Sequence, residues 1–200
     1  MLDKHIVPHL VRPLNAVARQ LHARGVRADQ VTWAGFALGL GCVVAVAMDA
    51  YGLALALLAA NRLADGVDGA LARLHGPTDA GAFLDIVLDF IFYGLFPLGF
   101  ALANPDYALV AAVLIASFIG TGASFLAFDA FAKQRGLSHP DFAYKGLYYL
   151  NGLAEGTETI ACFALMCLFP QHFVLLASAF AVICWLTALN RVVGGWRALN

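Results

Sequence analysis

Six apolar stretches, each long enough to cross a bilayer, constrain this chain more than any other feature. They cover Val31–Ala50, Leu53–Arg73, Gly81–Leu102, Tyr107–Phe131, Leu147–Phe169 and Phe173–Val193. A helix needs about 20 residues to span the hydrocarbon. Composition removes the alternatives. Of 200 residues, 62% are hydrophobic and 12% are charged, roughly half the charge of a soluble domain. Such a chain cannot cover a water-facing surface, which excludes a soluble enzyme, a nucleic-acid binder and a disordered chain. The net charge of −1 implies no attraction to polyanions, so no nucleic-acid partner is expected. The expected fold is an all-α integral membrane protein of one domain over residues 1–200. Six transmembrane helices lie within 31–193, after an N-terminal amphipathic surface helix in 1–27. The 19 glycines suit close-packed membrane helices. Cys42, Cys162, Cys167 and Cys184 fall in apolar runs without a CxxC pair and read as buried thiols.

The segment before the first span carries Lys4, Arg12, Arg19, Arg24 and Arg27. It has neither the unbroken apolar run nor the small-residue cleavage site of a secretory signal. Ile6, Leu10, Leu14, Val17 and Leu21 recur at steps of three or four, making one apolar stripe flanked by arginines. That pattern predicts a helix lying on the membrane surface, bent near Pro8 and Pro13. The turns between spans are expected at Tyr51–Gly52, Leu74–Ala80, Ala103–Asp106 and Pro170–His172, with Ala132–Gly146 a longer loop. With the N-terminus in the cytoplasm, that side holds eleven Lys and Arg residues and the other side none. The bias places both termini on the cytoplasmic side. Arg191 and Arg197 count among the charges that close the chain; the twelfth cation, Arg62, lies inside the second span.

Asp65, Asp68, Asp85 and Asp89 are charges at bilayer depth, where a functional role is the default reading. Asp65 and Asp68 are three apart, Asp85 and Asp89 four apart, so each pair shares a helix face. At 1.5 Å per residue, Asp65 and Asp89 lie roughly 12 Å from their cytoplasmic helix ends, and Asp68 and Asp85 about 6–8 Å. Antiparallel neighbouring helices would bring the four to two matched levels. Four such carboxylates call for a cation, and an all-oxygen donor set selects Mg²⁺, Mn²⁺ or Ca²⁺. The absence of histidine from the spans argues against zinc and di-iron. The alternative is four separately neutralised aspartates. Gly66, Gly69 and Gly81 would let a ligand approach the backbone, or would serve helix packing. Arg73 sits at the mouth, as a phosphate clamp or as a positive-inside anchor. Thr78 would cap the third span, whose N-terminus itself favours an anion. Together these features suggest a diphosphate substrate. A carboxylate not committed to metal would take a proton from an attacking hydroxyl.

The stretch Asp65-x-x-Asp68-Gly69-x-x-Ala72-Arg73, a short gap, then Gly81-x-x-x-Asp85-x-x-x-Asp89 resembles the signature of the CDP-alcohol phosphotransferases at every position. The resemblance implies displacement of CMP from a CDP-linked donor, usually CDP-diacylglycerol, by an alcohol acceptor in phospholipid biosynthesis, with Mg²⁺ or Mn²⁺. It implies that Asp65, Asp68 and Asp85 are metal ligands. Asp89 would be the general base with a share in the metal. Gly69, Ala72 and Arg73 would line the CDP site, with Asp29, Thr32, Thr78 and Gly81 assigned to the same site. Asp29 stands where members usually carry asparagine. Members are typically homodimers in a membrane. Here the Ala116, Gly120, Ser124 stripe would pack closely against a second copy or within one protomer. The run from Asn151 to Thr159 looks like a small bacterial branch of unassigned acceptor, which places the chain in a bacterial inner membrane.

Asn151, Glu155 and Glu158 share a face of the fifth span. Glu158 and Arg62 are both roughly 16 Å deep and are expected to pair, directly or through a bridging side chain. Glu155 is level with Asp65 and Asp89. Asn151, Glu155, Glu158, Arg62 and Lys145 thus form a candidate acceptor pocket; the alternative is an ion-pair network tying span five to span two. Lys133, Arg135 and Lys145 would suit a phosphorylated acceptor or serve as plain topology signals. Two other function classes fit a membrane chain with buried acids: a cation-coupled transporter, and a non-catalytic scaffold of the same fold. The clustering of the acids on two adjacent spans, with no second copy, speaks against transport.

Overall fold

The computed structural model describes residues 3–135, 154 and 156–200, with backbone alone for 3–10. Helix α1 covers Asp3–Ala23, α2 Ala28–Ala47, α3 Tyr51–His75, α4 Asp79–Ala103, α5 Ala108–Gln134, α6 Gly156–Leu168 and α7 Phe173–Leu199. Short 3-10 turns at Pro105–Tyr107 and Pro170–His172 lead into α5 and α7. No strand occurs among the described residues. Four helices are long and apolar enough to cross a membrane: α2, α4, and α5 and α7 with their leading turns. At 25 residues α3 matches them in length, and it differs in carrying Arg62, Asp65, Asp68 and Arg73. The part of the expected fifth segment before residue 154 lies outside the described residues.

The first turn falls at Met48–Ala50, not at Tyr51–Gly52. Asp49 takes a φ of 57°, in the left-handed region that aspartate tolerates better than most residues. Its carboxylate accepts a hydrogen bond from the Tyr51 hydroxyl at 2.6 Å. The turn between α3 and α4 uses Gly76 at φ 91°. Thr78 caps α4 by accepting from the Gly81 backbone N–H at 3.0 Å.

Helix α2 is the central element of the site half: it packs closely on both α3 and α4, whose backbones stay apart and which meet through side chains such as Arg62 and Asp89. The two acid-bearing helices are neighbours as expected, but α2 lies close to both and they approach each other less closely than packed helix axes would. Gly35 and Gly39 make the arrangement possible. A Cβ on Gly39 would fall 2.9 Å from the Phe92 ring and 3.3 Å from Asn61 Nδ2. At the opposite end, Phe96 stacks on Phe163 at 3.9 Å and Phe100 on Phe173 at 4.2 Å between ring centroids. Close packing of this kind, not water exclusion, holds helices together in lipid. Outward faces carry large apolar side chains such as Leu109, Ile119 and Leu175, which are 76%, 66% and 68% exposed. The cysteines are free thiols, all buried except the half-buried Cys162.

Helix α1 continues without interruption across Pro8 and Pro13. Leu14, Ala18 and Leu21 pack on Val67, Ala70 and Leu71 of α3. The apolar stripe is thus rotated from the expected one: Ala18 is fully buried and Val17 is exposed. The small alanine permits close approach to α3 where valine would not. The side chains of Ile6 and Leu10 lie outside the described residues. On α5, Gly120 faces Trp185 and Ala188 of α7, so this part of the small-residue stripe serves packing inside the chain.

Candidate active site

Side-chain oxygens of Asp65, Asp68 and Asp85 all lie within 4.8 Å of one another. One turn of α3 presents the first two, and α4 brings the third across the groove above α2. Asp68 is buried, at 6% exposure; Asp85 is exposed. The geometry suits a hard divalent ion. Ligands at about 2.1–2.5 Å from a centre stand at most about 4.2–5 Å apart, and the 4.8 Å bound on the three carboxylates falls toward the upper end of that range.

Asp89 does not join this set. Its Oδ1 accepts from Arg62 Nη2 at 2.8 Å, and its Oδ2 faces Arg62 Nη1 at 3.5 Å and the Tyr93 hydroxyl at 3.3 Å. Arg62 Nη1 also stands 3.7 Å from Asp65 Oδ2. Arg62 Nε donates to Asn61 Oδ1 at 2.8 Å, and Asn61 Nδ2 donates to the Gly35 carbonyl at 2.8 Å. All four carboxylates nonetheless line one small cavity, as expected, together with Arg62, with Asp89 paired to the arginine. The expected direct pairing of Arg62 with Glu158 is replaced by the pair with Asp89. That carboxylate lies only about one helical turn from Arg62 in depth, a step a long arginine side chain covers. Arg62 thus belongs to the acidic centre. Asn151, Glu155 and Lys145 lie outside the described residues.

A cleft of about 320 Å³ opens above the three aspartates, with Asp68 and Asp85 on its wall. Asp29 and Thr32 from α2, Gly69 and Ala72 from α3, and Thr78 and Gly81 at the start of α4 line it. A Cβ on Gly81 would stand 3.3 Å from Asp29 Oδ1, so this glycine lets α4 begin against α2. Arg73 is exposed and lies outside that lining, with Nη1 3.6 Å from where a Gly69 Cβ would be. Gly66 does not face the cleft: a Cβ there would meet Leu14 Cδ1 at 2.8 Å. For this glycine helix packing is the reason. His75, on the cleft wall, makes a 3.0 Å contact from Nε2 to His22 Nδ1 of α1.

A second cavity of about 290 Å³ lies between α4, α5, α6 and α7. Tyr93, Thr121, Thr159 and Arg191 contribute polar groups to it, and Phe90, Phe118 and Phe125 apolar walls. Arg191 is not a loop charge. It projects from α7, donates to the Thr121 carbonyl at 3.2 Å and lies over the Phe125 ring at 5.5 Å. Tyr93 links this cavity to the acidic centre through its contact with Asp89. Sequence reading missed Asn61, Tyr93 and Arg191 as site residues. The available signals were the four-residue step from Asp89 to Tyr93 and the polar Asn61 beside Arg62 in an apolar run.

The fold is similar to two crystal structures of phosphatidylinositol phosphate synthase from Mycobacterium tuberculosis. The one with CDP-DAG bound aligns over 94% of this chain and 92% of its own, with a TM-score of 0.65 at 22% identity. The one in complex with manganese and citrate aligns over 92% and 88%, with a TM-score of 0.71 at 21% identity. In sequence, the chain is 48% identical over 201 residues to Inner membrane protein YnjF of Escherichia coli (strain K12), covering 100% of this chain and 98% of that one. The family model for CDP-alcohol phosphatidyltransferases matches residues 26–193, a range that holds the four aspartates, Arg62, the cleft and Arg191. The chain belongs to the CDP-alcohol phosphatidyltransferase family.

Proposed function

We propose that the protein is a membrane phosphotransferase of phospholipid biosynthesis that displaces CMP from a CDP-linked lipid donor, CDP-diacylglycerol in the simplest case, with an alcohol acceptor. The observation that carries this reading is the set of three aspartate oxygens within 4.8 Å beside a cleft lined by the signature residues. Asp65, Asp68 and Asp85 would hold Mg²⁺ or Mn²⁺; the manganese-bound relative of like fold supports that choice. When bound, the ion supplies positive charge to the diphosphate oxygens.

Asp29, Thr32, Gly69, Ala72, Thr78 and Gly81 receive the cytidine diphosphate group, and the α4 N-terminus favours its charge. Arg73, at the rim, closes on a phosphate oxygen. Asp89 accepts the proton of the acceptor hydroxyl as the acceptor oxygen bonds to phosphorus. The phosphorus–oxygen bond to CMP breaks, and its electron pair leaves on the CMP oxygen. Tyr93 and Arg191 place the acceptor in the second cavity, next to Asp89. Glu158 at the start of α6, with Asn151, Glu155 and Lys145 before it in sequence, would belong to the acceptor side.

The same reading makes residues 1–200 one domain, with α1 on the membrane surface and six spans including α3. The charge bias puts the termini and the cleft on the cytoplasmic side. The name of the Escherichia coli relative supports an inner membrane, and a homodimer is expected there. The test is purified protein with CDP-diacylglycerol, Mn²⁺ or Mg²⁺ and a panel of polyol, amino-alcohol and phosphorylated acceptors, with products read by mass spectrometry. A phosphatidyl product formed together with CMP is the expected result. No CMP from any CDP-linked donor would mark a catalytically silent member of the fold.

A further inference from the structure

We propose that His22 and His75 form a two-histidine site for a borderline divalent cation of the Zn²⁺ class, which ties α1 to α3 at the edge of the cleft. The site lies apart from the aspartates and does not depend on the transferase reading above.

His22 sits in the last turn of α1 and His75 in the last turn of α3. The packing of Leu14, Ala18 and Leu21 on α3 brings the two helix ends together, and His22 Nδ1 comes within 3.0 Å of His75 Nε2. The rings meet edge to face, with centroids 4.4 Å apart and planes at 66°. Imidazole nitrogens on one zinc, each at about 2.0–2.1 Å, stand about 2.9 Å apart at a right angle and about 3.3 Å apart at the tetrahedral angle. The observed separation lies inside that window. Both residues are exposed, so water completes the coordination.

The hydrogen bonds already present the lone pair that a metal needs. His75 Nδ1 lies 3.1 Å from the Leu71 carbonyl. A carbonyl only accepts, so Nδ1 carries the proton and Nε2 offers its lone pair. A backbone carbonyl on the far nitrogen is a common support of a metal-bound histidine. Without metal, His22 donates its Nδ1–H to that lone pair. With metal, His22 carries its proton on Nε2 instead, and both facing nitrogens become ligands. Neutral imidazoles stay neutral, so no net proton is released.

Two helix C-termini converge on this spot, and the partial negative charge of each favours a cation. Arg24 and Arg73, the nearest cations in sequence, are exposed and screened by water. Imidazole donors suit Zn²⁺, whereas the all-oxygen aspartates suit Mg²⁺ or Mn²⁺, so the two centres sort ions by donor chemistry. His75 also lines the cleft beside Gly76 and Thr78. An ion on the pair therefore fixes that wall of the cleft together with the end of α1.

The test titrates Zn²⁺ calorimetrically into the full chain in detergent with excess Mg²⁺, which occupies the aspartates, and follows amide hydrogen exchange of α1 by mass spectrometry. The wild type should bind Zn²⁺ with a Kd of roughly 100 μM or tighter. Affinity should fall at least about tenfold in His22→Ala and in His75→Ala, and should persist in Asp68→Asn. With Zn²⁺ at tenfold its Kd, exchange over residues 11–23 should slow about tenfold, and it should not respond in either histidine variant. His75→Gln replaces His75→Ala if the alanine variant does not fold. A wild-type Kd weaker than that limit, binding that survives loss of either histidine, or α1 exchange indifferent to bound Zn²⁺ would overturn the proposal. No arm uses turnover, so a chain that releases no CMP leaves the histidine site standing.

Discussion

Replacing Gly66 with alanine should loosen α1 from the bundle, and shortening Leu14 should restore it. A Cβ at position 66 would stand 2.8 Å from Leu14 Cδ1 and 3.2 Å from Cδ2, against about 3.5–4.0 Å for favourable carbon contacts. Something must move by roughly 0.7 Å at the closer atom. Either the end of Leu14 turns away from Val67, Ala70 and Leu71, or α1 lifts. Overpacking costs about 1–3 kcal/mol, and the low end applies here because the atom met is the end of a flexible leucine. At about 1 kcal/mol, the undocked fraction of α1 rises roughly fivefold. Ala18 is fully buried in this contact, so Ala18→Cys, in a chain whose half-buried Cys162 is replaced by serine, reports docking by its rate of maleimide labelling, and the three buried native cysteines keep the background low. Gly66→Ala should speed labelling by roughly fivefold, and adding Leu14→Ala should bring the rate back toward the parent. An unchanged rate in Gly66→Ala, accompanied by a raised KM for the CDP donor, would refute the reasoning. It would mean that Gly66 makes room for ligand and not for α1.

Asp68→Asn should weaken Mn²⁺ binding by at least about tenfold, read by titration, because it replaces a buried anionic ligand with a neutral amide. A cysteine at His75, on the wall of the cleft, should react with a membrane-impermeant label only from the cytoplasmic face; labelling from outside in intact cells would reverse the topology. Phe96→Ala should lower the melting temperature in detergent, since it removes a fully buried ring stacked at 3.9 Å on Phe163, a loss of about 3–5 kcal/mol in comparable cores. Activity at low temperature should survive that change, as Phe96 lies away from the cleft.

The helices and the acidic motif were legible because each rests on local spacing. Apolar run length located the four long apolar helices, and the three- and four-residue steps placed Asp65 with Asp68 and Asp85 with Asp89 on common faces. Which helix each face would meet was not legible. Periodicity carries no information on neighbours, and the position of α2 between α3 and α4 depends on the small faces at Gly35 and Gly39. The same gap explains Arg62. Depth along the helix axis placed it level with Glu158, but direction around the axis decides the partner, and Asn61 turns the guanidinium toward Asp89. Gly66 sat inside the ligand motif in sequence, yet its side of α3 faces α1. Arg191 looked like one of the charges that end a span; the continuation of α7 to Leu199 keeps it within the helix, against α5.

The most direct test of the central claim is CMP release from CDP-diacylglycerol by the purified protein, measured with Mn²⁺, with a chelator, and in Asp85→Asn. Release should require the metal and an acceptor, stop on chelation, return when Mn²⁺ is restored, and be absent from the Asp85 variant, whose side chain is part of the three-oxygen set. Release that persists under chelation, or that survives loss of the Asp85 carboxylate, would contradict the account.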